Sequence, residues 1–257
     1  MAPVVHLRRV VALLGSFPAL AGVDFAVDAG EIVFVGGANG AGKTTLLRTC
    51  AGLVAIAEGQ AEVLGVDIHT ARTQVQRRIG LLGHATHLYE DLSVAENVDF
   101  WVRASGGDRS RAPSALARLG LGPRLLRLSV SRLSAGQRRR VAIAVLAARD
   151  PELWLLDEPH AGLDAEGRDL LDQVVREVAD RGGTVVLASH EADRAAPLAT
   201  RRVVMAGGQA FDVGDPDGNA ARSGTIATVG LEPIATVGSG PIAAVASKTM
   251  AGVEHVA

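Results

Sequence analysis

The chain has 257 residues, of which 48% are hydrophobic and 21% charged, so it can form the core of one α/β domain with a subdomain attached. Its formal net charge of −2 excludes the strongly basic balance that favours nucleic acid or an anionic membrane, and no nucleic-acid partner is expected. The single cysteine, Cys50, excludes an internal disulfide, and the longest apolar run, 141–148, is far shorter than the about 20 residues that cross a bilayer, so direct membrane insertion is not expected.

Strands and helices alternate along the chain up to about residue 211. Apolar runs and alternating patterns predict strands over these stretches: 4–35 with turns, 79–82, 153–156 and 184–188. Helical periodicity predicts helices over these stretches: 43–53, 72–78, 94–130 with a polar break at 105–110, 141–148 and 168–181. Because strands that alternate with helices form parallel sheets, the predicted fold class is α/β with a mostly parallel sheet.

A glycine-rich loop separates the strand that ends at Val35 from the next helix, and residues 37–44 satisfy the pattern G-x-x-x-x-G-K-[ST] in full. Its glycines let successive backbone N–H groups point at phosphate oxygens, and the helix that follows adds its positive N-terminal end. Lys43 is expected to reach the β- and γ-phosphates, and the Thr44 hydroxyl to ligate Mg²⁺. The alternative is an ordinary glycine turn. The predicted ATP-binding residues here are Gly37, Ala38, Asn39, Gly40, Ala41, Gly42, Lys43, Thr44 and Thr45.

Two adjacent acids, Asp157 and Glu158, directly follow the apolar strand predicted at 153–156. By itself such a pair is more often a solvated cap at the end of a strand. In an α/β sheet, however, the ends of the strands are where ligands bind, and a phosphate-binding loop is also present. We therefore predict that Asp157 holds Mg²⁺, directly or through water, and that Glu158 orients or deprotonates the water that attacks the γ-phosphate.

Four peptides occur in a fixed order along the chain: GANGAGKTT from residue 37, LSAGQRRRVAIA from 133, LLDEPHAGLD from 155 and LASHE from 187. In their order and spacing they resemble the motifs of ABC-type ATPases, and the resemblance covers about residues 4–210. It implies a P-loop NTPase fold with a RecA-like core, an antiparallel β subdomain and a helical subdomain at about 85–140. The nucleotide-binding domain is then expected to span residues 1–211.

The resemblance also implies roles for individual positions. His190 would be the switch histidine that contacts the γ-phosphate, and Asp164 would belong to the D-loop. A signature segment would close over the nucleotide of a second ATPase subunit, paired head to tail, and its residues are Ser134, Ala135, Gly136 and Gln137. A serine with backbone N–H groups at a helix N-terminus is a plausible second anion-binding end. The expected working unit is therefore a dimer with two ATP molecules at its interface.

Two positions depart from the family pattern. Counting back from 92–97, the position of the Q-loop glutamine falls on His84, whose neutral imidazole can still accept or donate a hydrogen bond near Mg²⁺ and the water. We retain His84 as a candidate catalytic residue. The aromatic residue that stacks on adenine is replaced by Leu14, and Phe17 is the nearest substitute, so Phe17 is the predicted adenine contact.

The segments 79–84 and 92–100 look like the haem-export branch of the family, which serves cytochrome c maturation. The expected function is thus the ATP-binding and ATP-hydrolysing subunit of an ABC transporter at the cytoplasmic face, bound to an integral membrane permease. Three alternatives remain: an exporter ATPase for a drug, lipid or peptide, a soluble ABC ATPase of translation or DNA repair, and a member that binds ATP without turnover. A metal or haem site at His84 and His87 is a further alternative.

The composition changes after about Asp212. A motif that begins Ile-Ala recurs every eight residues, at Ile226, Ile234 and Ile242. A solenoid needs more repeats than these to bury a core, so the favoured interpretation of residues 212–257 is a low-complexity, flexible tail. No activity is predicted for it.

Overall fold

The computed structural model of the protein describes residues 2–213. In that part the strands are β1 (Val5–Leu14), β2 (Phe17–Val27), β3 (Ile32–Gly36), β4 (Glu58–Val63), β5 (Val66–Asp67), β6 (Ile79–Leu82), β7 (Leu153–Asp157), β8 (Thr184–Ala188), β9 (Arg201–Ala206) and β10 (Gln209–Asp212). The helices are α1 (Lys43–Cys50), α2 (Ile68–Val75), α3 (Val94–Ser105), α4 (Ala112–Arg118), α5 (Pro123–Leu126), α6 (Ala135–Arg149), α7 (Ala165–Asp180) and α8 (Ala192–Ala195). None of these helices has the length and apolar character that crossing a membrane requires.

The central sheet has the strand order β10-β9-β3-β8-β7-β6. All its neighbouring strands pair in parallel except β10, which runs antiparallel to β9. Every residue of β3, β7 and β8 is buried, as expected for parallel strands that are covered on both faces. The register places Leu82 beside Leu156 and Asp157 beside Ala188, so β6, β7 and β8 end at one edge of the sheet.

Side chains on the two faces of this sheet enter two different cores. On β7, Trp154 and Leu156 pack into the core that contains α3, α4, α6 and α7. Leu153 and Leu155 face the opposite way, into the core formed with α1 and the second sheet. This division follows from the two-residue period of a strand. The second sheet, in the order β2-β1-β4-β5, is antiparallel.

The structure confirms the predicted fold class and the strands at 79–82 and 184–188. The long helical pattern at 94–130 consists of three helices, and α3 ends at the predicted polar break because Gly106 adopts a left-handed conformation (φ 74°). The helix predicted at 141–148 begins earlier, at Ala135, since its first turns are rich in arginine rather than apolar. The helix predicted at 72–78 lies earlier too, as α2.

Four strands were absent from the predictions: β4, β5, β9 and β10. The first half of β4, Glu58 to Gln60, is exposed and polar, so it lacks the apolar alternation by which a strand is recognised. The expected tail at 212–257, with its eight-residue repeat, lies outside the described residues after Val213.

Candidate nucleotide-binding and catalytic site

A cavity of about 340 Å³ opens at the edge where β3, β6 and β7 end. Its lining comes from the glycine-rich loop, the start of α1, the ends of β6 and β7, and the β1–β2 hairpin. The lining residues are Leu14, Ala19, Asn39, Gly40, Gly42, Lys43, Thr44, Thr45, His84, Asp157 and Glu158. The fold thus brings residues that are far apart in the sequence into one site of a size typical for small-molecule ligands.

The loop between β3 and α1 requires glycine where it passes close to other backbone. Gly37 and Gly42 have φ values of 128° and 105°, in the region that side chains disfavour. A Cβ atom on Gly37 would lie 2.3 Å from the Met205 carbonyl oxygen, and one on Gly42 would lie 2.6 Å from that of Ala19. The loop is therefore fixed against β9 and β2, and it leads directly into the N-terminus of α1.

Lys43 lies across this loop with its side chain largely buried. Its Nζ donates hydrogen bonds to the carbonyl oxygens of Gly37 (2.7 Å) and Ala38 (3.1 Å). A positive charge is thus held inside the curve of the loop, beside the N-terminal end of α1. Both features favour an anion such as a phosphate chain at this position.

Thr44 and Asp157 meet although they are 113 residues apart in the sequence. The Thr44 hydroxyl donates to Asp157 Oδ2 at 2.8 Å, so a neutral and a charged oxygen ligand face the same point. Mg²⁺ takes oxygen ligands and usually retains waters and substrate phosphates, so two protein oxygens fit its requirements. Within residues 2–213 no group of three or more His, Cys, Asp or Glu side chains could hold a metal by itself.

Glu158 follows β7 in a left-handed conformation (φ 47°), which costs a non-glycine residue on the order of 1–2 kcal/mol. Its Oε2 accepts a hydrogen bond from the Ser189 hydroxyl at 2.8 Å. Its Oε1 accepts from the His190 backbone N–H at 3.1 Å and lies 2.9 Å from His190 Nδ1. The carboxylate, about one quarter exposed, is therefore fixed between the end of β8 and the cavity.

His84, two residues after the end of β6, lies in the cavity wall. Its catalytic role stays a prediction. Phe17 does not line the cavity. It lies opposite Leu14 at the tip of the β1–β2 hairpin and is 80% exposed, while Leu14 itself is part of the wall. The adenine contact of Phe17 stays a prediction.

The signature segment is not part of this cavity. Ser134 begins α6, and its hydroxyl accepts from the Gln137 backbone N–H, while Gln137 Oε1 accepts from the Ser134 N–H. This reciprocal pair is a capping box, which explains both residues by local structure alone. Gly136 lies against the Gly162 carbonyl, where a Cβ atom would be 3.0 Å from the oxygen. The signature and the D-loop therefore lie side by side.

Arg140 connects the same two segments on the surface. Its guanidinium donates to Asp164 at 2.6 Å and to Glu166 at 3.1 Å. Hydrogen bonding from Arg140 lowers the pKa of the Asp164 carboxyl, which also caps α7 by accepting from the Gly167 N–H. Ser134 and Asp164 are both exposed and do not line their own chain's cavity, so they are accessible to another molecule.

Two residues that hold the site together carry no recognisable signal in the sequence. Ser189 orients Glu158 from the end of β8. Arg139, the middle one of three consecutive arginines, lies buried behind the site and bonds to the backbone of Asp157 and Glu158. No pattern in the sequence distinguishes it from the arginines on either side. Only the rotation of α6 turns this one side chain inward.

Comparisons with known proteins agree with this geometry. The sequence model described as ABC transporter matches residues 20–161. The cytochrome c biogenesis ATP-binding export protein CcmA of Bradyrhizobium diazoefficiens is 42% identical over 185 residues, which are 72% of this chain and 90% of that protein. The protein of the same name from Rhodopseudomonas palustris is 44% identical over 176 residues, or 68% and 86% of the two chains.

Solved structures of ATP-binding cassettes have the same fold. The dimeric post-hydrolysis state of the cassette MJ0796, bound to ADP and Pi, aligns with a TM-score of 0.73 and 27% identity. The alignment covers 80% of this chain and 95% of that one. The cbiO1 protein of Clostridium perfringens, part of the transporter complex cbiONQ, aligns with a TM-score of 0.70 and 26% identity over 82% and 87% of the two chains.

The predicted P-loop ATPase fold and the predicted enzyme class are thereby confirmed. The two alignments cover 90% and 86% of the CcmA proteins, so the similarity extends over the whole cassette rather than over one motif. The chain belongs to the ABC transporter family, as an ATP-binding and ATP-hydrolysing subunit of the CcmA type.

Proposed function

We propose that this chain hydrolyses ATP to drive a separate membrane subunit in an export step of cytochrome c biogenesis. The observation that carries the proposal is the cavity that brings the loop at 37–44 together with Asp157 and Glu158. The relatives that are more than 40% identical are named for ATP-dependent export in that process. A haem-linked cargo follows from the same resemblance. Export of another cargo is the alternative.

The loop and Lys43 bind the phosphate chain of ATP. Backbone N–H groups of the loop and the N-terminal end of α1 surround the β-phosphate, and the Lys43 ammonium exchanges its contacts with the Gly37 and Ala38 carbonyls for phosphate oxygens. Thr44 and Asp157 are proposed to hold Mg²⁺. When bound there, the ion neutralises charge on the β- and γ-phosphate oxygens.

Glu158 is the proposed base. Its carboxylate faces the cavity and accepts hydrogen bonds from Ser189 and His190, so its position is set before substrate binds. It takes the proton of the water that attacks the γ-phosphorus, while His190, beside Glu158, contacts the γ-phosphate and His84 orients the water from the cavity wall. These assignments rest on placement around the cavity and on the resemblance.

A second copy of the chain is needed to complete the site. Ser134 and Gly136 lie on the surface and outside their own cavity, which supports their contacting the ATP of a partner. The helix N-terminus at Ser134 supplies another set of N–H groups for phosphate. The solved cassette MJ0796, which shares the fold, is a dimer. We therefore propose a dimer in which two ATP molecules lie between the copies.

An aromatic cluster formed by α3 and the segment that follows His84 is the proposed contact with the membrane subunit. Tyr89, Phe100 and Trp101 pack with ring centroids 4.9 to 6.0 Å apart, and Tyr89 and Phe100 are 47% and 41% exposed. The buried Asn97 side chain bonds both backbone groups of Tyr89, so the segment after His84 is tied to α3. Such exposed aromatic groups are typical of protein contact sites. This contact would place the chain at the cytoplasmic face of the membrane.

Replacing Glu158 with Gln tests the proposed chemistry. The Glu158→Gln protein should bind ATP as tightly as the unaltered protein and lose turnover, by about 1000-fold or more, because the amide cannot accept the proton. Phosphate release and equilibrium binding of labelled ATP are measured in parallel. Glu152→Gln is the matched control, since Glu152 lies just before the opposite end of β7 and pairs with Arg78. Unchanged hydrolysis in the Glu158→Gln protein would refute the role.

The transport proposal needs the membrane partner. We expect affinity-purified chain from solubilised membranes to carry one integral membrane subunit, and loss of this chain to abolish haem-stained c-type cytochromes. If c-type cytochromes stay normal after loss of the chain and a different substrate accumulates, the cytochrome c role is refuted and export of another cargo is supported.

A further inference from the structure

Arg139 is a buried cation that bonds to the protein backbone at four places. The residue is 5% exposed. Its Nη1 donates to the Gly83 carbonyl (2.5 Å), and its Nη2 donates to the carbonyls of Asp157 (3.1 Å) and Glu158 (2.8 Å). A weaker bond runs from Nε to the Pro159 carbonyl at 3.4 Å. All of these partners are carbonyl oxygens rather than carboxylates.

These carbonyls belong to the segments that carry the proposed reacting groups. Gly83 is bonded through its own carbonyl and directly precedes His84, while Asp157 ends β7 and Glu158 follows it. Arg139 itself is in the second turn of α6, the helix that begins at the signature. One side chain therefore connects the signature helix to the backbone of two catalytic segments.

The neighbouring arginines show that this placement is specific to one position. Arg138 donates to the Leu133 carbonyl at the start of its own helix, and Arg140 pairs with Asp164 and Glu166 on the surface. Successive residues on a helix point about 100° apart, so three consecutive arginines face three directions. Only the middle side chain reaches behind the site.

Burying an arginine is unfavourable unless its donors are satisfied. Desolvation lowers the pKa of Arg139, and the negative charges of Asp157 and Glu158 oppose that effect. A planar guanidinium fixes the directions of its donors, so the bonded carbonyls must hold fixed positions relative to one another. A flexible or neutral side chain could fill the same volume without imposing that geometry.

We propose that Arg139 is a positioning residue for ATP hydrolysis. It holds the backbone at 157–159 and at Gly83 in one arrangement relative to α6, so that the Glu158 carboxylate and the His84 ring stay directed into the cavity. It acts through these segments and does not line the cavity itself. The inference rests on the proposed role of Glu158 as the base.

The test compares Arg139→Ala and Arg139→Lys with a second arginine of the same helix, Arg149, which is partly buried. Arg149 is near the end of the same helix and donates to the Ile79 carbonyl at 3.2 Å, at the start of β6 and away from the site. Hydrolysis is measured as kcat and KM for ATP, with the active fraction determined by titration of bound nucleotide. Thermal unfolding of each variant is recorded as well.

We expect Arg139→Ala to lower kcat by about 100-fold and to leave KM within about threefold, because misplacing a catalytic group acts on the reacting state rather than on binding. Arg139→Lys should recover part of kcat, since an ammonium can bond some of the carbonyls but not all of them in the plane. Arg149→Ala should keep kcat within about threefold, whatever it does to the melting temperature.

The outcomes separate this inference from the proposed function. If Arg139→Ala retains kcat, or if it and Arg149→Ala lose kcat equally, the positioning role is overturned. If Arg139→Ala does not fold, Arg139→Lys decides: reduced kcat at an unchanged melting temperature supports the role, and unchanged kcat overturns it. Glu158→Gln is assayed in parallel. Turnover that survives in Glu158→Gln refutes the proposed role of Glu158 as the base, whereas an inactive Glu158→Gln with an active Arg139→Ala refutes only the inference about Arg139.

Discussion

The residues of the site differ in the sequence separation of their hydrogen-bond partners. A sequence motif can indicate only those residues whose partners are close by in the chain. Lys43 donates hydrogen bonds to carbonyls five and six residues away, so one short peptide contains both the lysine and its partners. Arg139 bonds to Gly83, 56 residues away, and to the backbone of Asp157. No local pattern encodes such contacts, because they arise only when separate strands end side by side.

The predicted adenine contact, Phe17, is the aromatic residue nearest to Leu14, which occupies the position of the adenine-stacking aromatic in the family pattern. Phe17 does not line the cavity. The hairpin between β1 and β2 instead turns Leu14 and Ala19 into the cavity and leaves Phe17 at its tip. A loop tip cannot be oriented from composition alone, since either strand can present its side chains inward.

Leu14→Ala is expected to weaken ATP binding by about fivefold, because an apolar side chain of the cavity wall is removed. Phe17→Ala should have a smaller effect. Both are measured by equilibrium titration with a fluorescent ATP analogue, and titration with the triphosphate moiety alone serves as the control for the phosphate loop. A larger loss in Phe17→Ala than in Leu14→Ala would support the predicted contact of Phe17 with adenine.

At the scale of elements, periodicity located the buried parts and missed the partly exposed ones. The continuous apolar runs of β7 and β8 were predicted because both faces of these strands are covered. The exposed half of β4 and the arginine-rich start of α6 carry no such signal. The start of α6 is defined by its capping box, which lies inside the signature motif itself.

Ser134 both caps α6 and is proposed to contact the partner's ATP, so a mutation there could act through either role. The cap of α3 provides a control. Ser93 caps α3 with the same reciprocal geometry, through Glu96. Ser134→Ala and Ser93→Ala should each lower the free energy of unfolding by about 1 kcal/mol, because each loses one cap. Only Ser134→Ala should also lower ATP turnover, by about 100-fold, because a donor to the partner's phosphate is removed.

Urea denaturation and phosphate release, measured on the same preparations, separate the two effects. Equal loss of turnover in both variants would show that the signature serine acts only as a helix cap in this chain.

At the scale of the whole molecule, the alternation of strands and helices predicted a parallel sheet but not the order of its strands. β3 lies between β8 and β9, so strands distant in sequence become neighbours, and the edge where they end collects residues from four segments. The resemblance to a family predicted the antiparallel β subdomain, which periodicity did not, and the structure contains it as the four-stranded sheet. The cassette fold was therefore predictable, whereas the packing behind the site was not.

Dimer formation should depend on nucleotide. With Mg²⁺ and ATP, the Glu158→Gln protein is expected to sediment at twice the 26.5 kDa chain mass, because ATP bridges the two copies and is not consumed. Without nucleotide it should be a monomer. Lys43→Ala is the control, since it removes the cation of the loop and should stay monomeric under both conditions. A monomeric Glu158→Gln protein with ATP fully bound would contradict the proposed composite site.

The alternation of side chains along β7 has a consequence for how motion in this molecule can be observed. Leu155 and Leu156 are adjacent in the chain, yet their methyl groups lie in separate apolar compartments. In a methyl-labelled sample, the Leu155 resonances would sense the compartment built around α1 and hence the nucleotide loop. The Leu156 resonances would sense the helices that extend toward the aromatic cluster. The methyl chemical shifts of two consecutive leucines would therefore show whether ATP binding changes the packing of one core or of both.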